Sequence, residues 1–156
     1  MSNNTLFGQT NFMEIAFREA VAAFERLEVP VGAVIVDIRS NEILARAGNR
    51  IEEMKDPTAH AEMLAIRQVA TENGDIRLPG CDLYVTLEPC PMCATAISFA
   101  RIRRVYFGAS DTKGGGVENG PRIFEQPTCH HRPDVYGGIG ATDAAELLKS
   151  FFASRR

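Results

Sequence analysis

The segment LYVTLEPCPMC, residues 83–93, places a strand-like run directly in front of a pair of cysteines. Residues 83–87 are apolar and partly β-branched, which predicts a buried strand. Residues 91–100 predict a helix, and the proline at its first position costs the helix no hydrogen bond. Because Cys90 and Cys93 are three positions apart, one helical turn brings both sulfur atoms to the same side.

Strands and helices alternate on both sides of this segment. Apolar spacing and turn residues predict further strands at 33–36, 43–45, 105–107 and 135–139, and further helices at 11–26, 60–70, 118–125 and 142–153. Such alternation predicts an α/β protein with a three-layer α/β/α sandwich. A chain of 156 residues has the size of one domain with a substantial core, so we expect residues 1–156 to form a single domain in which residues 1–10 are poorly ordered.

The overall composition limits which classes of function the chain can have. Hydrophobic residues make up 45% of the chain and charged residues 24%, which is ordinary for a globular protein. The formal net charge of −3 argues against a general nucleic-acid-binding domain, which is normally strongly basic. Local basic groups remain at Arg101, Arg103 and Arg104, and at the C-terminal Arg155 and Arg156.

We expect the protein to act in the cytoplasm, because the sequence shows neither a signal peptide nor a membrane-spanning run. Residues 1–11 are polar and lack a basic region followed by an apolar run, so we see no signal peptide. No apolar run has the length that a bilayer crossing needs, and we expect no membrane association. The chain contains four cysteines, and its Cys-x-x-Cys pair is typical of metal or redox chemistry in a reducing compartment.

A second short motif, His60-Ala61-Glu62, adds an imidazole and a carboxylate to the two thiols. Zinc binds imidazole nitrogen and thiolate sulfur, and three protein ligands leave a fourth tetrahedral position open, as in catalytic sites. His60, Cys90 and Cys93 are therefore the candidate ligands of a Zn²⁺ ion. An open position allows zinc to ionise a water molecule near neutral pH, and Glu62 is the candidate proton carrier beside it.

Neither motif is specific for zinc when it stands alone. A lone Cys-x-x-Cys can be a buried pair or a thioredoxin-like redox site, and His-x-Glu is common. The redox interpretation does not need His60 or Glu62, whereas the zinc interpretation uses both motifs. Both motifs also fall at predicted helix starts, where the positive end of the helix dipole favours thiolate over thiol.

The combination of His-x-Glu with Pro-Cys-x-x-Cys is the signature of zinc nucleobase deaminases. Segments that flank the two motifs resemble one family within this group of enzymes, and the resemblance spans nearly the whole chain. They are residues 29–34, 56–62, 84–93, 98–102, 107–114 and 151–156. In these segments the chain resembles the bacterial tRNA-specific adenosine deaminases, a family of the cytidine and deoxycytidylate deaminase superfamily.

This resemblance implies a cytidine-deaminase-like fold with a five-stranded mixed sheet, and a homodimer. It also implies hydrolytic deamination of adenosine to inosine at the wobble position of a tRNA anticodon loop. His60, Cys90 and Cys93 would hold the zinc ion. Glu62 would take a proton from the attacking water, deliver it to ring N1 of the adenine and help to protonate the departing amine.

The resemblance further implies residues that bind the substrate, an anticodon stem-loop. Asn49 matches an asparagine that contacts the target nucleoside. Residues 109–113 match a loop beside the target nucleotide, and Asp111 is the residue there that we most expect to matter. Basic candidates for contacts to the RNA backbone are Lys113, Arg101, Arg132, Arg155 and Arg156. Each of them has the alternative of being a solvated surface charge or a contact between subunits.

Residues 115–132 fit the family least, so their RNA contacts stay open. The sequence Cys129-His130-His131 suggests a second metal site, but its spacing fits no usual zinc pattern and we expect polar contacts instead. Cys81, just before the strand at 83–87, is expected to be a small buried apolar residue.

Two other functions share the candidate zinc site. A deaminase of free nucleobases or nucleosides, of the guanine or cytosine type, would use the same four residues on small substrates without RNA. A structural zinc module or an inactive subunit would close the fourth zinc position with a protein ligand such as Cys129 or His130, and it would not need Glu62.

Overall fold

The computed structural model describes residues 5–6 and 9–155, and a five-stranded mixed sheet forms its centre. The elements are β1 (Thr5–Leu6), β2 (Gln9–Thr10), α1 (Phe12–Glu25), β3 (Gly32–Asp37), β4 (Glu42–Gly48), α2 (Ile51–Met54), α3 (Ala61–Asn73), β5 (Cys81–Leu87), α4 (Pro91–Phe99), β6 (Arg104–Ala109), a 3-10 turn (Ile123–Glu125), β7 (Asp134–Tyr136) and α5 (Ala141–Ser154). The predicted poor order of residues 1–10 falls mainly on residues outside this description. Among the described residues, none of the helices has the length and apolar character that crossing a membrane requires.

The strand order in the large sheet is β4-β3-β5-β6-β7. β3 runs antiparallel to both β4 and β5, whereas β5, β6 and β7 are parallel. Carboxyl ends of parallel strands meet at one edge of a sheet, and here Leu87 at the end of β5 pairs with Ala109 at the end of β6. The connections that follow these two strands therefore leave the sheet side by side, and the predicted five-stranded mixed sheet is confirmed.

Side chains alternate between the two faces of the sheet, and each face carries its own helices. Ile35 and Leu83 belong to the core that includes residues of α3 and α4, whereas Val34 packs in a second cluster with α1. α5 lies beside α1, where the rings of Phe24 and Phe151 meet edge to face with centroids 5.6 Å apart. α1 and α5 form one outer layer and α3 and α4 the other, which confirms the three-layer α/β/α sandwich.

Local sequence explains where α3 and α4 begin and end. His60 is the N-cap of α3, and Gly74 follows the helix with a φ of 73°, a left-handed conformation that glycine adopts without strain. Cys90 is the N-cap of α4, and Pro91 occupies its first turn, where the missing N–H has no helical partner to lose. The two sequence motifs therefore coincide with two helix N-termini, as the sequence predicts.

The connection between β6 and β7 differs from the sequence prediction. The pattern predicts a helix over 118–125, but only the 3-10 turn forms, because Gly120 and Arg122 have φ values of 59° and 46° that interrupt a right-handed helix. β7 is shorter than the predicted strand over 135–139, since Gly138 with a φ of 85° turns the chain. The single turn α2 is not predicted from the sequence.

Candidate metal centre and substrate cavity

The two sequence motifs meet where α3 and α4 begin. Glu62 lies in the first turn of α3, behind its N-cap His60, and Cys93 lies in the first turn of α4, behind its N-cap Cys90. The candidate ligand atoms of His60, Cys90 and Cys93 all lie within 4.8 Å of one another. Within residues 5–6 and 9–155, no other group of three histidine, cysteine or acidic side chains has this geometry.

The distances between the donor atoms fit a tetrahedral zinc ion. His60 Nδ1 lies 3.6 Å from Cys90 Sγ and 3.5 Å from Cys93 Sγ. Tetrahedral coordination with a Zn–S distance of about 2.3 Å and a Zn–N distance of about 2.0 Å separates nitrogen and sulfur ligands by about 3.5 Å. One imidazole and two thiols also form a donor set that zinc accepts, and three ligands leave one position for water or substrate.

Hydrogen bonding shifts the pKa values of the two thiols in opposite directions. The hydrogen bond with Cys93, reinforced by the contact with His60, lowers the pKa of Cys90 to about 4 although burial opposes this. The same hydrogen bond, together with burial, raises the pKa of Cys93. The hydrogen bond with Cys90 also raises the pKa of His60. Zinc binds the thiolate form of cysteine, so ligation by both Cys90 and Cys93 requires that both thiols lose their protons.

Glu62 is a buried carboxyl group beside these ligands, with 4% of the residue exposed. Burial raises the pKa of Glu62 to about 7, because the carboxylate loses the water that stabilises its charge. A carboxyl group with such a pKa can both accept and donate a proton near neutral pH. This is the property that acid and base catalysis at one residue requires.

A cavity of about 250 Å³ opens in front of the ligands. Its polar wall contains Asn49, His60, Glu62, Glu88, Cys90, Asp111 and Gly114, and its apolar wall contains Val29, Val31, Ile51 and Leu87. Asn49 is 5% exposed, and its Oδ1 accepts a hydrogen bond of 2.8 Å from the Ala61 N–H, which leaves the Nδ2 hydrogens available to a ligand. An apolar wall with a few fixed polar groups is typical of ligand sites.

The structure brings some predicted substrate-binding residues together and separates others. Asp111 lines the cavity, and its Oδ1 accepts a hydrogen bond of 3.2 Å from the N–H of Lys113, which is exposed on the same turn. Arg155 is not part of this cavity, because its guanidinium lies 5.2 Å from the centroid of the Phe151 ring and lines a separate hollow beside α2. Arg156 lies outside the described residues.

Cys129 and His131 make polar contacts, Cys81 lies in the apolar core, and His130 is exposed. Cys129 Sγ donates to the His131 carbonyl at 3.1 Å, and His131 Nε2 donates to the Ile102 carbonyl at 2.6 Å. Cys81 is 6% exposed in the core, and all four cysteines are free thiols. A larger hollow of about 390 Å³ between α1 and α5 is lined by neither histidine nor cysteine, so it is not the metal centre.

Glu88 is the cavity residue that sequence reasoning misses. It is 2% exposed, and its carboxylate accepts hydrogen bonds of 3.0 Å from the N–H groups of Asp111 and Asn119. Burial opposes its ionisation, but the hydrogen bonds outweigh burial and lower the pKa of Glu88. The sequence contains one signal that could have identified Glu88. It is a charged residue between a buried strand and Pro89, and a buried charge requires partners.

Comparisons with known proteins agree with this geometry. The cytidine and deoxycytidylate deaminase zinc-binding region matches residues 8–109. A tRNA-specific adenosine deaminase from Agrobacterium fabrum is 58% identical over 148 residues, which cover 95% of this chain and 96% of that protein. A solved structure from work on A-to-I editing by tRNA:A34 deaminases at the wobble position has a TM-score of 0.85 and 59% identity, and the match covers 88% of this chain and 98% of that chain. A guanine deaminase from Bacillus subtilis is more distant, with 30% identity, a TM-score of 0.63 and coverage of 99% and 94%.

Replacing Cys90 or Cys93 with alanine should release the zinc ion, because each change removes one of three protein ligands. We expect about one zinc per chain in the wild-type protein and in Cys129→Ala, and a large loss in both Cys90→Ala and Cys93→Ala. The measurement is metal content by mass spectrometry after dialysis against a weak chelator. Zinc retained in both ligand variants, or lost in Cys129→Ala, would contradict the assignment.

Proposed function

This chain belongs to the tRNA-specific adenosine deaminases of the cytidine and deoxycytidylate deaminase family, and on that premise we propose that it converts adenosine to inosine at the wobble position of a tRNA anticodon. The observation that carries the proposal is the zinc-type group of His60, Cys90 and Cys93 at the edge of a cavity that also contains Glu62. The reaction consumes one water molecule and releases ammonia. A tRNA substrate also favours a cytoplasmic site of action.

The roles of the chain's own residues follow from their positions. Bound zinc supplies Lewis-acid chemistry, which makes a water molecule a strong nucleophile near neutral pH. Glu62 lies beside the three ligands, accepts a proton from the attacking water and delivers it to ring N1 of the adenine. It then takes the second proton of that water, from the oxygen now bonded to C6, and gives it to the departing amine, so that the C6–N bond breaks, ammonia leaves and the C6 carbonyl of inosine forms. The apolar wall excludes bulk water from the carboxyl group, which keeps its proton affinity suited to both steps.

Asn49 is the proposed contact to the target nucleoside. The hydrogen bond from the Ala61 N–H fixes its carboxamide, so the Nδ2 donors keep a constant direction. Ala61 and Glu62 are adjacent in the first turn of α3, so the hydrogen bond attaches Asn49 to the same helical turn that carries Glu62. Such preorganisation keeps the adenine at the position and orientation that attack by the water requires.

The enclosed site favours a nucleotide from a single-stranded loop. A base in a duplex must leave its stack to enter a cavity of about 250 Å³, whereas an unpaired loop base does so at a cost of about a few kcal/mol or less. An anticodon stem-loop provides such a base, and RNA loops are generally recognised through exposed bases and backbone. The alternative, a deaminase of free guanine or cytosine-type substrates, has less support because the identity to tRNA-specific enzymes is higher.

Glu62→Gln should keep zinc but lose deamination, because the carboxamide has similar shape and cannot carry the proton. We expect kcat to fall by about 10²–10⁴-fold or more. The assay measures inosine in a synthetic adenosine-bearing anticodon stem-loop, with free adenosine and free guanine tested alongside. Glu72→Gln on the exposed end of the same helix is the matched control and should behave as wild type. Full activity of Glu62→Gln, or turnover of free guanine in place of the stem-loop, would contradict the proposal.

We further propose that Lys113, Arg155 and Arg156 contact the RNA backbone, and that Asp111 contacts the nucleotide beside the target. The position of Lys113 supports this, since it is exposed on the turn whose Asp111 lines the cavity. Arg155 is exposed at the end of α5, beside a hollow that α2 also lines. Phosphate contacts by such side chains release counterions from the RNA.

Affinity for the stem-loop should therefore fall as the salt concentration rises. The inactive Glu62→Gln protein allows binding to be measured without turnover, for example by fluorescence anisotropy. Adding Lys113→Ala should weaken binding and reduce the slope of log affinity against log salt by about one unit. Adding Lys149→Ala, which changes an exposed lysine of α5, is the control and should leave the slope unchanged. An identical slope for all three proteins would exclude a phosphate contact by Lys113.

We also propose a homodimer that forms through an apolar surface of α3 and α4. A shallow hollow there is lined by Met63, Pro91, Met92, Thr95, Ala96 and Phe99. Phe99 is 71% exposed and adjoins the other apolar residues of this hollow, and a contiguous exposed apolar surface is typical of one that a partner covers. A second copy of the chain is the partner that family membership supports.

Phe99→Asp should shift the protein from dimer to monomer, because it would bury a charge in an apolar interface. Sedimentation velocity at several protein concentrations measures the change. Ile76→Asp is the control, since Ile76 is 81% exposed but lies outside this surface. A wild-type protein that sediments as a monomer, or a Phe99→Asp protein that remains a dimer, would contradict the proposed interface.

A further inference from the structure

The carboxylate of Glu88 is saturated with hydrogen bonds from one irregular segment. Its Oε1 accepts from Ser110 Oγ at 3.4 Å, the Asp111 N–H at 3.0 Å and Asn119 Nδ2 at 2.7 Å. Its Oε2 accepts from the N–H groups of Val117 at 3.1 Å, Glu118 at 2.9 Å and Asn119 at 3.0 Å. Four of these six donors are backbone groups, so the carboxylate replaces the partners that a helix or strand would provide.

The segment that Glu88 holds, residues 110–119, has no helix or strand of its own. It approaches the carboxylate so closely that a Cβ added to Gly115 would lie 2.4 Å from Glu88 Oε2. One further hydrogen bond of 2.8 Å joins the Gly116 N–H to the Pro89 carbonyl. The segment is therefore attached to residues 88 and 89, directly in front of the metal-ligating Cys90.

We propose that Glu88 is a positioning residue for the deamination, which holds segment 110–119 so that Asp111 and Gly114 stay in the cavity wall beside the metal ligands. This inference rests on the proposed function. The carboxylate sets the distance between the wall that meets the substrate and the N-terminus of α4. Loss of the carboxylate should allow the wall to move while the three zinc ligands stay in place.

A purely structural role would make a different prediction, and Asp82 provides the comparison. Asp82 lies near the start of β5, whereas Glu88 directly follows the end of that strand, and Asp82 is also buried, with 4% exposed. It forms a two-point ion pair with Arg103, with distances of 2.9 Å and 2.7 Å. Glu88→Gln and Asp82→Asn are therefore matched carboxyl-to-carboxamide changes, and only Glu88 holds the cavity wall.

The first test compares these two variants with wild type by stem-loop deamination kinetics, zinc content and thermal unfolding. Glu88→Gln turns one acceptor into a donor and must break about half of the six hydrogen bonds. We expect zinc content to stay unchanged and kcat/KM to fall by about 100-fold, mainly through KM. Asp82→Asn should lower the unfolding temperature without changing KM. An unchanged KM in Glu88→Gln, or an equal rise in both variants, would overturn the inference.

The second test does not depend on activity. Amide hydrogen exchange at Val117, Glu118 and Asn119 should accelerate in Glu88→Gln and remain slow in Asp82→Asn. Asn119→Ala removes one side-chain donor and should give an intermediate effect on exchange and KM, even if Glu88→Gln fails to fold. Unchanged exchange in both Glu88→Gln and Asn119→Ala would overturn the inference. An inactive wild-type protein would count against the proposed function, and the exchange data would still decide whether Glu88 holds the segment.

Discussion

The structure depends on the convergence of one imidazole and two thiols at the N-termini of two neighbouring helices. His60 and Cys90 are N-caps, and Cys93 lies one turn into α4. The parallel strands β5 and β6 end side by side, which places the start of α4 and the segment after β6 around the same point. A zinc ion bound by these three side chains would connect α3 to α4. The cavity, Glu62 and the proposed RNA-binding loop at 109–113 are all arranged around this point.

Three buried glutamates illustrate how hydrogen bonding decides what a carboxyl group can do. Glu28 accepts from the N–H groups of Glu52 and Glu53 at 3.1 Å and 2.8 Å, and so fixes the single turn α2. Glu88 accepts six hydrogen bonds, which stabilise its charge and lower its pKa. For Glu62, burial has the largest effect on acidity and raises the pKa of the carboxyl group to about 7. Two carboxylates therefore support the rim of the site, and the third is suited to moving protons.

The sequence contains enough local information for the sheet, the main helices and the zinc group. Periodicity and caps predict α1, α3, α4 and α5, and the spacing of the two motifs predicts His60, Cys90, Cys93 and Glu62 as one group. The segment between β6 and β7 is not predictable in this way, because Glu88 holds it through contacts made 22 to 31 residues along the chain. The positive φ values of Gly120 and Arg122 prevent a helix there, and the spacing of apolar residues does not reveal them. Contacts of the basic residues with RNA depend on the shape of the partner, which local sequence patterns do not contain.

The most direct test of the central claim is X-ray absorption at the zinc edge of the purified wild-type protein. A catalytic centre built on His60, Cys90 and Cys93 predicts two sulfur ligands, one imidazole nitrogen and one oxygen from solvent, with Zn–S distances of about 2.3 Å. A fourth protein ligand, such as a third sulfur or a second imidazole, would contradict the account and indicate a structural zinc site.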